Sequence, residues 1–173
     1  MWNPPAFRPE IKNRFVVACI AAFATLGAGA CGPSGGDTAT YLVTFALSVT
    51  PEDLSKLSFK VTYTADGDFV GTGTTVSCDF IAALDDATAT FDDDDDSILD
   101  VVIDAPTDVM EAATELVECR FSSSEQPTTN EFAVAVVSAT DDADDAVDPD
   151  DVDVVVSSID LDDSATLIVE IGE

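Results

Sequence analysis

The chain has 173 residues and carries 35 acidic residues against six lysines and arginines, a formal net charge of −29. A surface this negative repels nucleic acid and anionic lipid headgroups, which argues against both as direct partners. Histidine is absent, and no Gly-rich phosphate loop or nucleophile elbow occurs, so we predict that the protein is not an enzyme. Apolar residues make up 46% of the chain, which is enough to bury a core despite the charge.

Residues 1–30 have the order of an export signal. Basic residues at Arg8, Lys12 and Arg14 are followed by an apolar run, and small residues at 27–30 immediately precede Cys31. A cysteine in this place resembles the bacterial lipoprotein signal, in which that cysteine becomes the lipidated first residue of the mature protein. Ala28 stands where leucine is usual, so a plain signal peptide or a retained anchor stays open as an alternative.

The residues after the signal predict how the chain is divided. We expect a signal peptide at 1–30, a Gly/Ser linker at 31–37 that follows the lipidated Cys31, and a folded domain at 38–173. Residues 32–36 are Gly, Pro, Ser, Gly and Gly, which form a flexible tether. The prediction is an exported protein at the outer membrane or cell surface that touches the membrane only through its lipid anchor.

The four cysteines then separate into three groups. Cys19 lies in the removed signal and Cys31 is acylated, which leaves Cys78 and Cys119 in the folded domain. An oxidising compartment favours a disulfide between them, although two buried free thiols remain the alternative. Both lie on the inward phase of their strands, where the bond is expected to staple the sandwich. Closing a loop of about 40 residues stabilises a fold by roughly 4 kcal/mol.

Alternation of apolar and polar residues predicts about nine short strands. Two of them, 87–91 and 99–103, flank a run of aspartates and predict a hairpin. Short helical segments are expected at 50–53 and 108–116, and glycines at 71 and 73 suggest a bulge or a close backbone approach. Together these features predict an all-β, antiparallel β-sandwich. The strands are expected at 41–49, 57–63, 76–80, 87–91, 99–103, 117–121, 132–136, 152–156 and 167–171.

The aspartate run between the hairpin strands is a candidate calcium site. Calcium prefers several carboxylate oxygens that converge from a loop, and the candidate ligands are Asp92, Asp93, Asp94, Asp95 and Asp96. The alternative is a solvated turn that also blocks edge pairing, because five consecutive side chains cannot all point one way. A second acidic loop at 141–151 lacks the glycine and terminal glutamate of a calcium-binding helix-loop-helix. No other cofactor is predicted.

The aromatic residues of the predicted strands fall on inward phases, which favours a place in the core over a sugar-stacking platform. The only tryptophan, Trp2, lies in the signal region. The aromatic residues in question are Phe45, Phe59, Tyr63, Phe80, Phe91, Phe121 and Phe132.

Three segments resemble parts of cohesin domains: residues 57–63 with the acidic turn and Phe69–Val70 that follow, residues 116–121, and residues 132–140 entering an Asp-rich loop. The likeness is one of hydrophobic spacing and covers roughly residues 38–173. It implies a nine-strand jelly-roll sandwich related to a class of carbohydrate-binding modules, which binds protein or polysaccharide without catalysis.

Two hypotheses about function follow. The leading one is a non-catalytic cell-surface binding or adhesion module on an exported acidic lipoprotein, with a protein or a polysaccharide as its ligand. The alternative is a structural envelope lipoprotein whose acidic loops bind calcium or simply tolerate salt.

Overall fold

The structure, a computed structural model, describes residues 38–94 and 97–163. These residues form ten antiparallel strands in two sheets and no α-helix, which confirms the predicted all-β sandwich. None of the described segments is a helix long and apolar enough to cross a membrane. The strands are β1 (Ala39–Val49), β2 (Leu54–Tyr63), β3 (Gly67–Phe69), β4 (Cys78–Phe80), β5 (Thr88–Asp94), β6 (Ile98–Asp104), β7 (Glu115–Ser123), β8 (Phe132–Asp141), β9 (Ala146–Val147) and β10 (Asp153–Leu161).

The strands divide equally between the sheets. Sheet 1 has the order β10-β1-β7-β3, and β4 also pairs with β7 beyond the end of β3. Sheet 2 has the order β5-β6-β2-β8-β9. The expected hairpin is confirmed as β5–β6, with Phe91 opposite Val101 in its register. The predicted signal peptide, the linker, Cys31 and the strand at 167–171 lie outside the described residues.

The core lies between the two sheets because each strand turns its alternate apolar side chains toward the other sheet. Phe45 of sheet 1 and Phe59 of sheet 2 are fully buried, with ring centroids 6.1 Å apart. A second aromatic group has neighbouring centroids 5.1–6.1 Å apart; it contains Tyr63, Phe69, Phe121 and Phe132. The prediction that the strand aromatics serve the core is confirmed, although Phe80 and Phe91 are only partly buried against it.

The disulfide joins Cys78 and Cys119 as expected, but it lies within one sheet. The two residues stand directly opposite each other on the neighbouring strands β4 and β7. The expectation that the bond would staple the sandwich is therefore wrong. Alternation placed both side chains on the correct phase, but it carries no information about which strands become neighbours. The bond fixes the three-residue strand β4 to the long strand β7.

The two predicted helical segments, 50–53 and 108–116, are not helices: each contains a turn, at 52–53 and at 112–113, and the second segment ends inside β7. Asp53 has φ +74° and Ala113 has φ +63°, values that do not continue a right-handed helix. The backbone N–H of Met110 donates to Leu54 O at 2.7 Å, and that of Ala113 donates to Leu47 O at 2.7 Å. The ends of β2 and β1 thus accept hydrogen bonds that a helix would have kept within the segment.

Glycine is required where the loop after β3 turns back. Gly71 has φ +102°, and a Cβ added there would lie 2.5 Å from Thr75 O. This is the close backbone approach that the glycines at 71 and 73 predicted. Gly73 then forms an isolated antiparallel bridge with Asp93, so the loop covers part of the open edge of β5.

Candidate functional site

The side chains of the aspartate run do not all point to the same side of β5 in the part that the structure describes. Asp92, Asp93 and Asp94 continue strand β5, and alternation buries Asp93 while its two neighbours are exposed. Asp95 and Asp96 lie outside the described residues. Within 38–94 and 97–163, no three acidic or cysteine side chains come close enough to hold a metal ion. The calcium hypothesis stays a prediction, and calorimetric titration with calcium tests it through saturable binding.

Asp93 takes part in a buried polar group beneath the hairpin. The Tyr63 hydroxyl lies 3.3 Å from Asp93 Oδ1 and 3.4 Å from Asp68 Oδ1. Burial, followed by the negative charges of Asp93 and Asp68, raises the pKa of Tyr63 above its ordinary value of 10.0. The hydroxyl therefore stays protonated and donates to a carboxylate throughout the physiological range.

This contact predicts a fall in stability at alkaline pH. Because the pKa of Tyr63 is raised in the folded protein, its stabilising contribution is complete below about pH 10. Above that pH the unfolded state loses the proton first, so the contribution declines as pH rises toward the folded-state pKa. Urea unfolding between pH 8 and 11.5 should show a steeper decline for the wild type than for Tyr63→Phe. Parallel curves for the two proteins would contradict the assignment.

The second acidic segment, 141–151, is organised by its own carboxylates. Asp141 Oδ1 accepts the backbone N–H of Ala143 at 3.0 Å and that of Asp145 at 2.8 Å. Asp148 Oδ1 accepts the N–H of Asp150 at 3.1 Å at the start of a short 3-10 turn. These aspartates hold the loop in shape as turn-forming residues do.

The described residues contain three cations, and each forms an ion pair. Arg120 on sheet 1 contacts the buried Asp162 at 3.0 Å. On sheet 2, Lys60 contacts Asp100 at 3.0 Å and Lys56 contacts Asp144. The hydrogen bond to Asp144, together with the charge of that carboxylate, raises the pKa of Lys56. Two of the three cations therefore lie on the same strand, β2, four residues apart and on the same side of the sheet.

The surface that contains these two lysines is the side of sheet 2 that faces away from the core, and we call it the outer face of sheet 2. Its side chains are polar, charged or aliphatic and include no aromatic group among the described residues. The outer face consists of the alternate, solvent-facing residues of β5, β6, β2 and β8: Thr88, Thr90, Asp92, Asp94, Ile98, Asp100, Val102, Asp104, Lys56, Ser58, Lys60, Thr62, Ala133, Ala135, Val137, Ser138 and Thr140.

A groove of about 210 Å³ crosses the outer face of sheet 2, and it is lined by β2, β6 and β8. Lys56 lies between Asp104 on one side and Thr140 on the other in the strand register. The next outward row places Ser58 between Val102 and Ser138. Asp104 Oδ1 and Thr140 Oγ1 are both buried, and neither has a hydrogen-bonding partner among the described residues.

A larger depression of about 360 Å³ lies at one end of the sandwich, between the β1–β2 turn and the turn before β7. Its lining combines the exposed carboxylates of Glu52 and Glu111 with the buried side chain of Met110. No buried polar atom of these lining residues lacks a hydrogen-bonding partner. The two orphaned side-chain polar atoms of the described residues both belong to residues that line the groove, which makes the groove the better candidate site.

No protein-family model, curated protein or solved structure matches the chain. We therefore infer function from the geometry of the described residues and from the sequence of the segments around them.

Sequence reasoning did not single out the groove residues. Asp104 and Thr140 are 36 positions apart and come together only because β6 and β8 pair with opposite sides of β2. The sequence signal that exists is local: each is the polar outward residue beside a buried one, Ile103 or Ala139. That pattern occurs throughout the chain and does not identify a site.

Proposed function

We propose that this protein is an exported, lipid-anchored binding or adhesion module that recognises a protein or a polysaccharide without catalysing a reaction. The observation that carries the proposal is the outer face of sheet 2, an open four-strand surface of polar and aliphatic side chains with a groove over β6, β2 and β8 near the end of β6. Such a face offers contacts to an extended polymer. The spacing of hydrophobic residues that resembles cohesin domains supports the same class of function.

The disulfide supports the location. A bond between Cys78 and Cys119 persists in an oxidising compartment and is rare in reducing ones. The signal-like order of residues 1–30 and the small residues before Cys31 give a route to that compartment. The large negative charge favours a ligand that is neutral or basic, because anionic polymers are repelled.

Retention of a ligand from the natural surroundings of the protein tests the binding role. The immobilised protein is exposed separately to extracted cell-surface polysaccharide and to secreted protein, and bound material is eluted and quantified. We expect retention above that of a reduced, heat-treated control of the same protein. Equal retention by the two samples for both extracts would refute the binding role.

Replacement of the predicted lipidation residue tests the anchor. Cys31→Ala should move the exported protein from the membrane fraction to the soluble exported fraction, since a lipid chain needs this thiol for attachment. Cell fractionation with immunodetection measures the shift, and intact-mass analysis of the wild type checks for the lipid. Cys19→Ala, within the same leader, is the matched control and should leave the distribution unchanged. A membrane-bound Cys31→Ala protein would contradict the anchor.

A further inference from the structure

We propose that the groove on the outer face of sheet 2 is a binding subsite for a neutral, hydroxyl-rich polysaccharide chain, with Asp104 and Thr140 as the residues that accept hydrogen bonds from it. This inference rests on the proposed binding function and names both the site and the ligand class. The observation behind it is that two buried side-chain oxygens, Asp104 Oδ1 and Thr140 Oγ1, belong to residues that line the same groove and have no hydrogen-bonding partner among the described residues.

Such atoms are unusual in a folded domain. Buried polar groups are nearly always hydrogen-bonded, because desolvation without a compensating bond is unfavourable. An ionised carboxylate only accepts hydrogen bonds, so Asp104 requires a donor from outside its own side chain. A ligand hydroxyl supplies that donor, and it also accepts from the ammonium group of Lys56 in the same groove.

The backbone around the groove is irregular in a way that suits a site. The pairing of β2 with β8 shifts register twice, once between Leu54 and Lys56 and once between Ser58 and Phe59. The second shift is a bulge that inserts Val137, which is 50% exposed, beside Ser138. Bulges re-aim side chains and are over-represented next to functional sites. Here the two shifts bracket the segment of β8 that lines the groove.

Charge disfavours an anionic ligand and leaves a neutral one unopposed. Lys56 and Lys60 face Asp104 and Asp100 across β2 and β6, and Lys56 also pairs with Asp144, so two ammonium groups meet three carboxylates. A chain with a net charge of −29 has little positive charge to place, yet two of its cations are here. The groove is therefore closer to neutral than most of this acidic chain, and an uncharged ligand meets no repulsion there.

The residue types of the face disfavour a folded protein as the ligand, and a polysaccharide would bind there without an aromatic stacking platform. Protein interfaces are enriched in Tyr, Trp, Phe, Met and Arg, and the described outer face contains none of them. Instead, Ser58 and Ser138 present hydroxyls opposite each other, with the exposed methyl groups of Val102 and Val137 nearby. The hydroxyls can bond to the polar edge of a sugar ring, and the methyl groups can pack against its C–H face. One such subsite is weak, and the repeated units of a polymer strengthen the binding.

Affinity gel electrophoresis of the full chain with soluble neutral polysaccharides (dextran, mannan and hydroxyethyl cellulose) tests the inference. Wild type should be retarded by at least one of them. Asp104→Asn should weaken that binding by about tenfold or more, and Thr140→Val by about three- to tenfold, since the lost bonds are charge-assisted and neutral respectively. Asp160→Asn and Thr74→Val make the same chemical changes at exposed positions away from the groove and should stay within twofold of wild type.

Thermal unfolding separates a ligand role from a structural one. Because Thr140→Val replaces an orphaned buried hydroxyl by a methyl group, its melting temperature should equal or exceed that of wild type. A lower melting temperature together with weaker binding would assign Thr140 to the fold and overturn its role in binding. If both groove variants bind as well as wild type, the ligand-binding site lies elsewhere on the protein. The proposed binding function would then stand, and the assignment of the groove would be overturned.

Two further results would overturn the ligand class. In the first, none of the neutral polysaccharides retards wild type, yet wild type retains secreted protein in the extract experiment. That result would support the binding function and rule out a polysaccharide as the ligand. Poly-lysine binding that survives 0.5 M salt and is lost in Asp104→Asn would assign the groove to a basic protein segment.

Discussion

Loss of the Cys78–Cys119 disulfide is expected to lower the free energy of unfolding by about 4 kcal/mol. The bond closes a loop between residues 41 apart, and in the chain-entropy account a loop of that size restricts the unfolded chain by this amount. Domains of this kind have total stabilities of about 5–15 kcal/mol, so the loss is a large fraction of the whole. Urea unfolding of the Cys78→Ser, Cys119→Ser double variant against wild type measures it.

Salt should modify this result. The −29 charge opposes compaction, and the Debye length falls from about 10 Å at 0.1 M to about 3 Å at 1 M ionic strength. We therefore expect the double variant to unfold readily in 0.1 M NaCl and to recover part of its stability in 1 M NaCl.

A reducing agent supplies the control for the disulfide prediction. It should destabilise wild type to the level of the double variant and leave the double variant itself unchanged. Equal stability of oxidised and reduced wild type would show that the strand pairing of β4 with β7 holds the segment without the bond.

The strands were predictable because their information is local. Phe91 ends one apolar alternation and Leu99 begins the next, neither needs knowledge of distant residues, and both lie in the hairpin where expected. The first strand was equally clear, since Tyr41, Val43 and Phe45 alternate and are buried in β1. Period-two alternation records which side of a strand faces the core, and burial in the structure follows it.

The predictions that were wrong concern segments whose hydrogen-bonding or strand-pairing partners are remote in sequence. Met110 and Ala113 lie in a stretch with helical spacing, but their N–H groups donate to the ends of β2 and β1. The disulfide was predicted to link the sheets and instead lies within one, because the neighbour relation of β4 and β7 depends on topology. Sequence alternation cannot distinguish these arrangements, since both place the cysteines inward.

The groove could not be predicted from the sequence, for the same reason. Its acceptors on Asp104 and Thr140 become a pair only through β2, which lies between them, and the bulge at Val137 follows from a register that no single strand encodes. Conversely, the sequence predicts a candidate calcium site at the aspartate run, but its described residues, up to Asp94, alternate between the two sides of β5.

Replacement of Phe121 by alanine is expected to destabilise the fold by about 4–5 kcal/mol. Large-to-small changes at fully buried phenylalanines cost about 3–5 kcal/mol, from lost transfer free energy and from the cavity left behind. Phe121 is fully buried and also makes edge-to-face contacts with Tyr63, Phe69 and Phe132, at centroid distances of 5.5, 5.2 and 5.2 Å. Such pairs add about 0.5–1.5 kcal/mol each, which places the effect at the upper end of the range.

Phe91→Ala is the matched control for Phe121→Ala, because Phe91 lies on the edge strand β5 and is only partly buried against the core. Its loss should cost less than half as much in urea unfolding at the same pH and salt. Phe121→Leu separates volume from ring geometry: it refills most of the cavity but restores none of the edge-to-face contacts. If Phe121→Leu were as stable as wild type, the ring contacts would contribute nothing beyond filling space, and the four aromatic residues would be an ordinary part of the core.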